Sequence, residues 1–195
     1  GRALRYSSDA TYSKWKHIGK RKNWLYPLYI PVAESYPFLD AIKEKEEVVI
    51  VESIGDSLAL TENKIFNHLV TFGLGLSSKQ ICQLVALNPQ KIIIASNNDY
   101  DKPENIGLEA AIKNFIKLMD FFDISKLSIK LPPTNDFGDL HVAEDFDTWL
   151  HKTVDPTSQL EFILKKLESR HGTRIINSKK KRASKINFLQ EYLED

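Results

Sequence analysis

Apolar residues in the middle of the chain follow two alternating patterns, one typical of strands and one typical of helices. Short runs rich in β-branched residues predict four strands that are covered on both faces, at 48–51, 69–72, 91–96 and 127–131. Apolar residues at helical spacing predict helices within 56–68, 78–87 and 107–122. Ser77 and Ser78 offer an N-cap for the second of these helices, and Asn88-Pro89 ends it. Two more helices are expected at 146–150 and 160–167.

Strands that alternate with helices indicate a parallel sheet, because neighbouring parallel strands need long crossover connections. We therefore predict an α/β fold in which a mostly parallel sheet carries helices on both faces. In such folds ligands bind beyond the carboxyl ends of the strands. Polar and acidic residues follow three of the predicted strands at that edge, namely Glu52, the run Asn97 to Asp101, and the group Asn135, Asp136 and Asp139.

Carboxylates that converge from several strand ends repel one another unless a cation neutralises them. Hard oxygen donors in this number suit Mg²⁺ or Mn²⁺. A pair of such ions can activate an attacking oxygen and stabilise a leaving one in phosphoryl or nucleotidyl transfer. The alternative is that Asp and Asn after strands only form turns and cap helices. Because such residues follow three strands of one predicted sheet, we favour the metal site.

Composition limits the class of protein. The chain has 195 residues, 42% of them hydrophobic, which is enough for a buried core in one domain or slightly more. Its lone cysteine, Cys82, excludes a disulfide framework within this sequence. No apolar run approaches the roughly 18 residues of a membrane-spanning helix, so we expect a cytoplasmic protein with no membrane partner. Because the sequence starts at Gly1 and its single methionine is Met119, we expect it to be part of a longer protein.

The net charge of +1 conceals two basic ends around an acidic centre. Residues 1–31 carry +6, residues 170–187 carry +7, and residues 32–169 carry −9. A polyanion is attracted to basic ends and is repelled by an acidic centre unless cations lie between them. For the basic run at 179–182, the alternative is a solvated tail.

Basic and aromatic residues alternate near the start of the chain. The candidate residues for binding a nucleic acid or a nucleotide are five basic residues and one aromatic residue, Lys14, Lys16, Lys20, Arg21, Lys22 and Trp24. Lys and Arg can hold phosphates while an aromatic ring stacks on a base, so this segment suits a single-stranded template or an incoming nucleotide. The alternative is that the aromatic residues form the core of a small subdomain, and both interpretations can hold.

Four segments between residues 48 and 140 resemble, in order and spacing, the Toprim domain of bacterial and phage primases. The first is a hydrophobic strand that ends in Glu52, with Asp56 four residues later. The second is a glycine turn with Gly73 and Gly75. The third is Asn97-Asn98-Asp99-Tyr100-Asp101, followed by Gly107-Leu108-Glu109-Ala110-Ala111, and the fourth is the proline-led acidic segment at 132–140. The chain departs from the family pattern at Ser53, Asn97, Asn135 and the longer segment 102–106.

The resemblance implies roles for these residues. Glu52, Asp56 and Asp99 are the implied catalytic residues, with Glu52 as the general acid/base or as a residue that positions the metal. The implied principal ligands of Mg²⁺ (or Mn²⁺) are Asp99 and Asp101. Asp56 and Asn97 would assist, Glu52 belongs to the same set, and Asp136 or Asp139 would add a further carboxylate. Asn97 is neutral but can still ligate a metal through its carbonyl oxygen.

The resemblance implies a primase catalytic core that joins ribonucleotides on a single-stranded DNA template. Nucleoside triphosphates and a replicative helicase are the implied partners, in the cytoplasm of a bacterium or of a phage-infected cell. A Toprim nuclease that hydrolyses DNA or RNA, and an inactive nucleic-acid-binding Toprim module, remain as alternatives. The expected domains are a small basic subdomain at 1–45, a Toprim (Rossmann-like) catalytic domain at 46–150, and a helix with a basic tail or linker at 151–195.

Overall fold

The computed structural model describes residues 2–5, 15–28 and 32–171, and it describes only the backbone at 2–5, 15–18, 32–36 and 168–171. Two antiparallel strands come first, β1 (Arg2–Arg5) and β2 (Trp15–Ile18). The remaining elements are α1 (Val32–Lys45), β3 (Glu47–Val51), α2 (Ile54–Glu62), β4 (His68–Val70), α3 (Ser78–Leu87), β5 (Lys91–Ile94), α4 (Ile106–Leu118), β6 (Leu127–Ile129), α5 (Phe137–Val142), α6 (Phe146–His151) and α7 (Pro156–His171). Single 3-10 turns lie at Arg21–Asn23 and Ile124–Lys126.

The chain divides into two compact units, with the boundary between Lys152 and Thr153. The first unit contains both sheets, and the second contains α7. The three-part division expected from the sequence, with boundaries after residues 45 and 150, stays a prediction.

A four-stranded parallel sheet organises the first unit, in the order β4-β3-β5-β6. All four strands lie where the hydrophobic runs predict them, and the predicted α/β fold is confirmed. After β3 the chain crosses to β4 on one side, and it later returns to β5 on the other side. The strand order therefore reverses between β3 and β5, and the crevice beyond their carboxyl ends is where such sheets bind ligands.

Both faces of this sheet are buried, as its β-branched sequence predicts. Val49 and Val51 pack into a cluster with side chains of α2, α5 and α6. In that cluster the rings of Phe137 and Trp149 meet edge to face, with centroids 4.9 Å apart. The intervening residues of β3 point to the opposite face, and Ile50 there is 3% exposed.

Side chains at the helix ends explain where several helices begin and end. Ser77 caps α3 in a capping box with Gln80, which confirms the predicted N-cap. Asn88 ends the same helix in the left-handed conformation with φ 47°, directly before Pro89, as predicted. Ser53 and Asp56 form a second capping box at the start of α2.

Other boundaries differ from the sequence prediction. The strand expected at 69–72 covers only His68–Val70, because the Thr71 hydroxyl donates to Gly73 O and helps to fold the chain into a turn. The helix expected at 56–68 ends at Glu62, and the one expected at 107–122 ends at Leu118. Neither α1 nor α5 was predicted from the pattern. Pro37 lies inside α1, where proline normally disfavours a helix.

In the parts of the chain that the structure describes, no helix is both long enough and apolar enough to cross a bilayer.

A buried histidine connects α2 with β4. His68 is fully buried, and its Nδ1 donates to Ile65 O at 2.8 Å. Its Nε2 therefore accepts from the Ser57 hydroxyl, also at 2.8 Å. Burial lowers the pKa of His68 to about 4. The folded protein thus holds this imidazole neutral at pH values at which the unfolded chain protonates it.

We expect the free energy of unfolding contributed by His68 to be fully present above pH 6.5 and to decrease as the pH falls toward 4. Between pH 7 and pH 5 the loss is roughly 2 kcal/mol. Urea unfolding of the wild type and of His68→Gln at these two pH values measures it, with His141→Gln as a control at a more exposed histidine. The same pH dependence in the wild type and in His68→Gln would contradict this assignment.

Candidate functional site

Acidic residues from two neighbouring strands meet at the carboxyl edge of the sheet. Glu52 directly follows β3, and Asp99 lies on the loop that follows β5. Burial, together with the charges of Asp56 and Asp99, raises the pKa of Glu52 to about 7. Glu52 and Asp99 are therefore close enough for their charges to interact, on the two sides of the crevice.

Asp56 is the most deeply buried of these acids, and its oxygens are already bonded. Its Oδ2 accepts from the backbone N–H of Ser53 at 2.9 Å and from the Ser53 hydroxyl at 2.7 Å. Its Oδ1 accepts from the N–H of Phe137 at 3.3 Å, so it connects α2 to α5. Burial raises the pKa of Asp56 to about 6, although the hydrogen bonds from Ser53 oppose this. The structure thus places Asp56 as a support of Glu52, and its catalytic role stays a prediction.

Asp99 has a cationic partner that the sequence patterns did not indicate. Its Oδ1 forms an ion pair with Lys102 Nζ, and its Oδ2 accepts from the N–H of Gly107 at 3.2 Å. The hydrogen bond to Asp99 raises the pKa of Lys102, and the charges of Asp99, Asp101 and Glu52 raise it further. The Lys102 ammonium therefore lies in the field of three carboxylates. In the sequence, Lys102 is set apart only by its position in the segment 102–106, which is longer than the corresponding segment of the Toprim pattern.

A network of amide side chains joins the loop after β5 to the loop after β6. Asn98 donates from its backbone N–H to Asn135 O at 2.7 Å and from its side chain to Pro132 O at 2.9 Å. Asn105 donates to Asn98 Oδ1 at 2.7 Å. With its amide nitrogen facing the two acceptors, Asn135 donates to Asn98 O and to Asp101 Oδ1, each at 3.1 Å. These bonds position Asp101 relative to the last strand.

The start of α4 lies against the backbone of Asn97. A Cβ built on Gly107 would be 1.7 Å from Asn97 O, so only glycine fits there. In the described part of the chain, Asn97 Oδ1 is a buried atom that has no hydrogen-bond partner. A buried carbonyl oxygen without a donor is a position at which a cation could bind.

Asp136 caps α5, and its charge acts on Asp56. Its Oδ1 accepts from the N–H of Asp139 at 2.8 Å, and its charge raises the pKa of Asp56. No bond in the described residues favours Asp139 over Asp136 as a ligand, so the prediction stays open between the two.

The chain directly after the basic segment at 20–24 pairs with the edge of the parallel sheet. Tyr26 pairs with Val70 at the edge of β4, through hydrogen bonds of 3.1 and 3.0 Å. The positive charge of Arg21 lowers the pKa of Glu52, which opposes the effect of burial. Lys22 lines a separate cavity of about 510 Å³ between the start of α3 and the end of α4.

The structure describes the side chains of some, but not all, of the predicted nucleic-acid-binding residues. The side chains of Lys20, Arg21, Lys22 and Trp24 are exposed to solvent. Lys14 lies outside the described residues, and only the backbone of Lys16 is described, in β2.

The predicted metal ligands share a chemistry but do not form a closed cage. Among the described residues, no group of three His, Cys, Asp or Glu side chains is arranged to hold a metal ion. The carboxylates and Asn97 Oδ1 are nevertheless the hard oxygen donors that Mg²⁺ and Mn²⁺ prefer. The donor set therefore fits such an ion in its chemistry, while the Lys102 ammonium neutralises Asp99.

We expect Gly107→Ala to lower the free energy of unfolding by at least about 2 kcal/mol, because the added methyl group meets the Asn97 carbonyl. Gly75→Ala is the matched control, since no atom lies within 4 Å of a Cβ at Gly75. Its effect should stay within about 1 kcal/mol. Denaturant unfolding measures both variants, and equal losses in the two would refute the close approach of α4 to Asn97.

The fold of this chain is similar to that of solved primase structures. The RNA polymerase domain of the Mycobacterium tuberculosis primase DnaG aligns with a TM-score of 0.59 and 14% identity, over 99% of this chain and 65% of that chain. A DNA primase domain from Pseudomonas aeruginosa aligns with a TM-score of 0.59 and 18% identity, over 83% and 49% of the two chains. A DnaG primase catalytic domain bound to single-stranded DNA aligns with a TM-score of 0.57 and 18% identity, over 81% and 50%.

No protein-family model matches this chain, and no curated protein matches it. The chain spans 49 to 65% of the length of these three structures. At 14 to 18% identity, the likeness shows a common α/β fold.

Proposed function

We propose that this chain is the catalytic core of a DNA primase of the phage or bacterial type, which joins ribonucleotides on a single-stranded DNA template. The observation that carries the proposal is that Glu52 and Asp99 follow neighbouring parallel strands, β3 and β5, where burial and the charge of Asp99 raise the pKa of Glu52 and the charge of Arg21 lowers it. Acids with a neighbouring cation in a sheet-edge crevice suit phosphoryl or nucleotidyl transfer.

The structural comparisons support the same function. The similar structures include an RNA polymerase domain of a primase and a primase catalytic domain bound to single-stranded DNA. Each of the four Toprim-like segments includes residues that follow a strand of the parallel sheet, at the edge where Glu52 and Asp99 lie. Because the chain spans only part of those structures, the activity of the whole protein belongs to the proposal.

Glu52 is the proposed proton acceptor. In primer extension, a ribose 3′-hydroxyl oxygen bonds to the α-phosphorus of a nucleoside triphosphate, pyrophosphate leaves, and the hydroxyl proton must be removed. A carboxylate with a pKa near 7 can accept that proton at neutral pH. Asp56 is proposed as a further catalytic residue, and its bonds to Ser53 also hold the chain next to Glu52.

The proposed ligands of Mg²⁺ or Mn²⁺ are Glu52, Asn97, Asp99 and Asp101, with Asp136 or Asp139 as a further carboxylate. The bound ion would supply positive charge to the phosphates and would lower the pKa of the attacking hydroxyl. Gly107 and Asn135 hold Asp99 and Asp101 in place through the hydrogen bonds described above.

The template and the incoming nucleotide are proposed to bind along the basic segment. Lys20, Arg21 and Lys22 are exposed and can contact phosphates, and Trp24 is 48% exposed and can stack on a base. Lys14 and Lys16 are proposed to extend this surface. Binding of this kind should weaken as the salt concentration rises.

The cellular setting is inferred from the same family likeness. Nucleoside triphosphates are the proposed substrates, and a replicative helicase is the proposed partner. The cytoplasm of a bacterium or of a phage-infected cell is the proposed location.

A second candidate function is nucleic-acid binding without catalysis. The ion pair of Lys102 with Asp99 and the neutral side chain at Asn97 favour it, because both reduce the negative charge available to a metal. A Toprim nuclease uses the same kind of acids, but the basic and aromatic segment at 20–24 favours synthesis on a template.

The test is incubation of the full chain with single-stranded DNA, labelled nucleoside triphosphates and Mg²⁺ or Mn²⁺. We expect oligoribonucleotides from the wild type and at least a hundredfold loss in Glu52→Gln and in Asp99→Asn. Asp123→Asn is the matched control, because Asp123 precedes β6 and so lies at the opposite edge of the sheet.

Each outcome selects one function. Synthesis that survives in Asp123→Asn but not in the two site variants supports the primase. DNA or RNA cleavage without synthesis selects the nuclease. DNA binding with neither reaction selects the binding module.

A further inference from the structure

The ammonium group of Lys102 lies next to Asp99, one of the acids of the site. Its Nζ forms an ion pair with Asp99 Oδ1, and the charges of Asp101 and Glu52 also act on it. All three carboxylates are proposed metal ligands, so the positive charge of Lys102 acts on the same acids that would attract a divalent cation.

We propose that Lys102 is a tethered cation that neutralises the site when no divalent ion is bound and that competes with the ion for Asp99. The inference rests on the proposed function, since it assumes that Asp99 is a metal ligand. It assigns to the longer segment 102–106 a role that its length alone does not indicate.

The geometry allows the ammonium to leave without disturbing Asp99. The side chain of Lys102 is 55% exposed, whereas that of Asp99 is only 16% exposed. Asp99 Oδ2 stays bonded to the N–H of Gly107, so the carboxylate keeps its position when Oδ1 is released. The backbone N–H of Lys102 donates separately to Asp99 O at 3.1 Å, so the turn does not depend on the ion pair.

The energetics favour exchange over a permanent ion pair. An exposed ion pair between single charges is weak, because water and salt screen it. A divalent ion attracts the same carboxylates twice as strongly at the same distance, and it repels the ammonium. Lys102 should therefore reduce the repulsion between the carboxylates when no metal is bound, and it should lower the affinity of the site for the ion.

The experiment measures Mn²⁺ binding to the full chain by electron paramagnetic resonance at pH 7.5. We expect Lys102→Gln to bind Mn²⁺ roughly threefold to tenfold more tightly than the wild type. Lys113→Gln is the matched control, since it removes the same charge from an exposed position on α4, and its affinity should equal that of the wild type. Asp99→Asn should lose most of the binding.

A second variant protects the test against a folding defect. Lys102→Met keeps most of the aliphatic stem and removes the charge, and it should bind Mn²⁺ as tightly as Lys102→Gln. Lys102→Arg keeps the charge and should stay close to the wild type.

The outcomes separate this inference from the proposed function. If the wild type binds Mn²⁺ through Asp99 and both neutral variants bind no more tightly than Lys113→Gln, the inference fails and the metal site stands. If Mn²⁺ binds to neither the wild type nor the neutral variants, the proposed metal chemistry fails, and the inference fails with it. Binding that appears only when Lys102 is neutral supports the inference most strongly.

Discussion

The repulsion between carboxylates at the ends of β3 and β5 is the constraint on which the rest of the site depends. Glu52 lies in the fields of Asp56 and Asp99 and is partly removed from water, so its charged form is costly near neutral pH. Three features of the site lower this cost. Glu52 can hold a proton, Lys102 neutralises Asp99, and Arg21 adds positive charge. A divalent ion would be a fourth way to lower it, and the function proposed above depends on it.

The fold brings the repelling carboxylates to one edge of the sheet and also holds their loops in place. The reversal of strand order between β3 and β5 places two acidic loops at neighbouring strand ends, and the side chains on both faces of the sheet are buried. The second of these loops is fixed by bonds to its surroundings. Asn98 and Asn135 join it to the loop after β6, and Gly107 lets α4 approach the backbone of Asn97.

Hydrophobic periodicity was sufficient to predict all four strands of the parallel sheet and three crossover helices. Each short β-branched run is stable only as a strand that is covered on both faces, and parallel strands need the helices that connect them. Periodicity missed α1, where Pro37 interrupts a helical pattern, and it extended β4 because it could not detect the turn at Thr71. The strand pairing places Glu52 and Asp99 after neighbouring strands, and their joint role in one site stays a prediction. The pairing of Lys102 with Asp99 depends on the path of a loop, and neither spacing nor composition specifies that path.

A carbon-13 NMR titration of the Glu52 carboxyl group, in the full chain without divalent ions, tests most directly whether Glu52 and Asp99 share one site. We expect a pKa of about 7 in the wild type. We expect a lower pKa in Asp99→Asn, because that variant removes one of the repelling charges. A pKa near the ordinary value of 4.5 in the wild type, or a pKa that Asp99→Asn leaves unchanged, would show that the two carboxylates do not share one site.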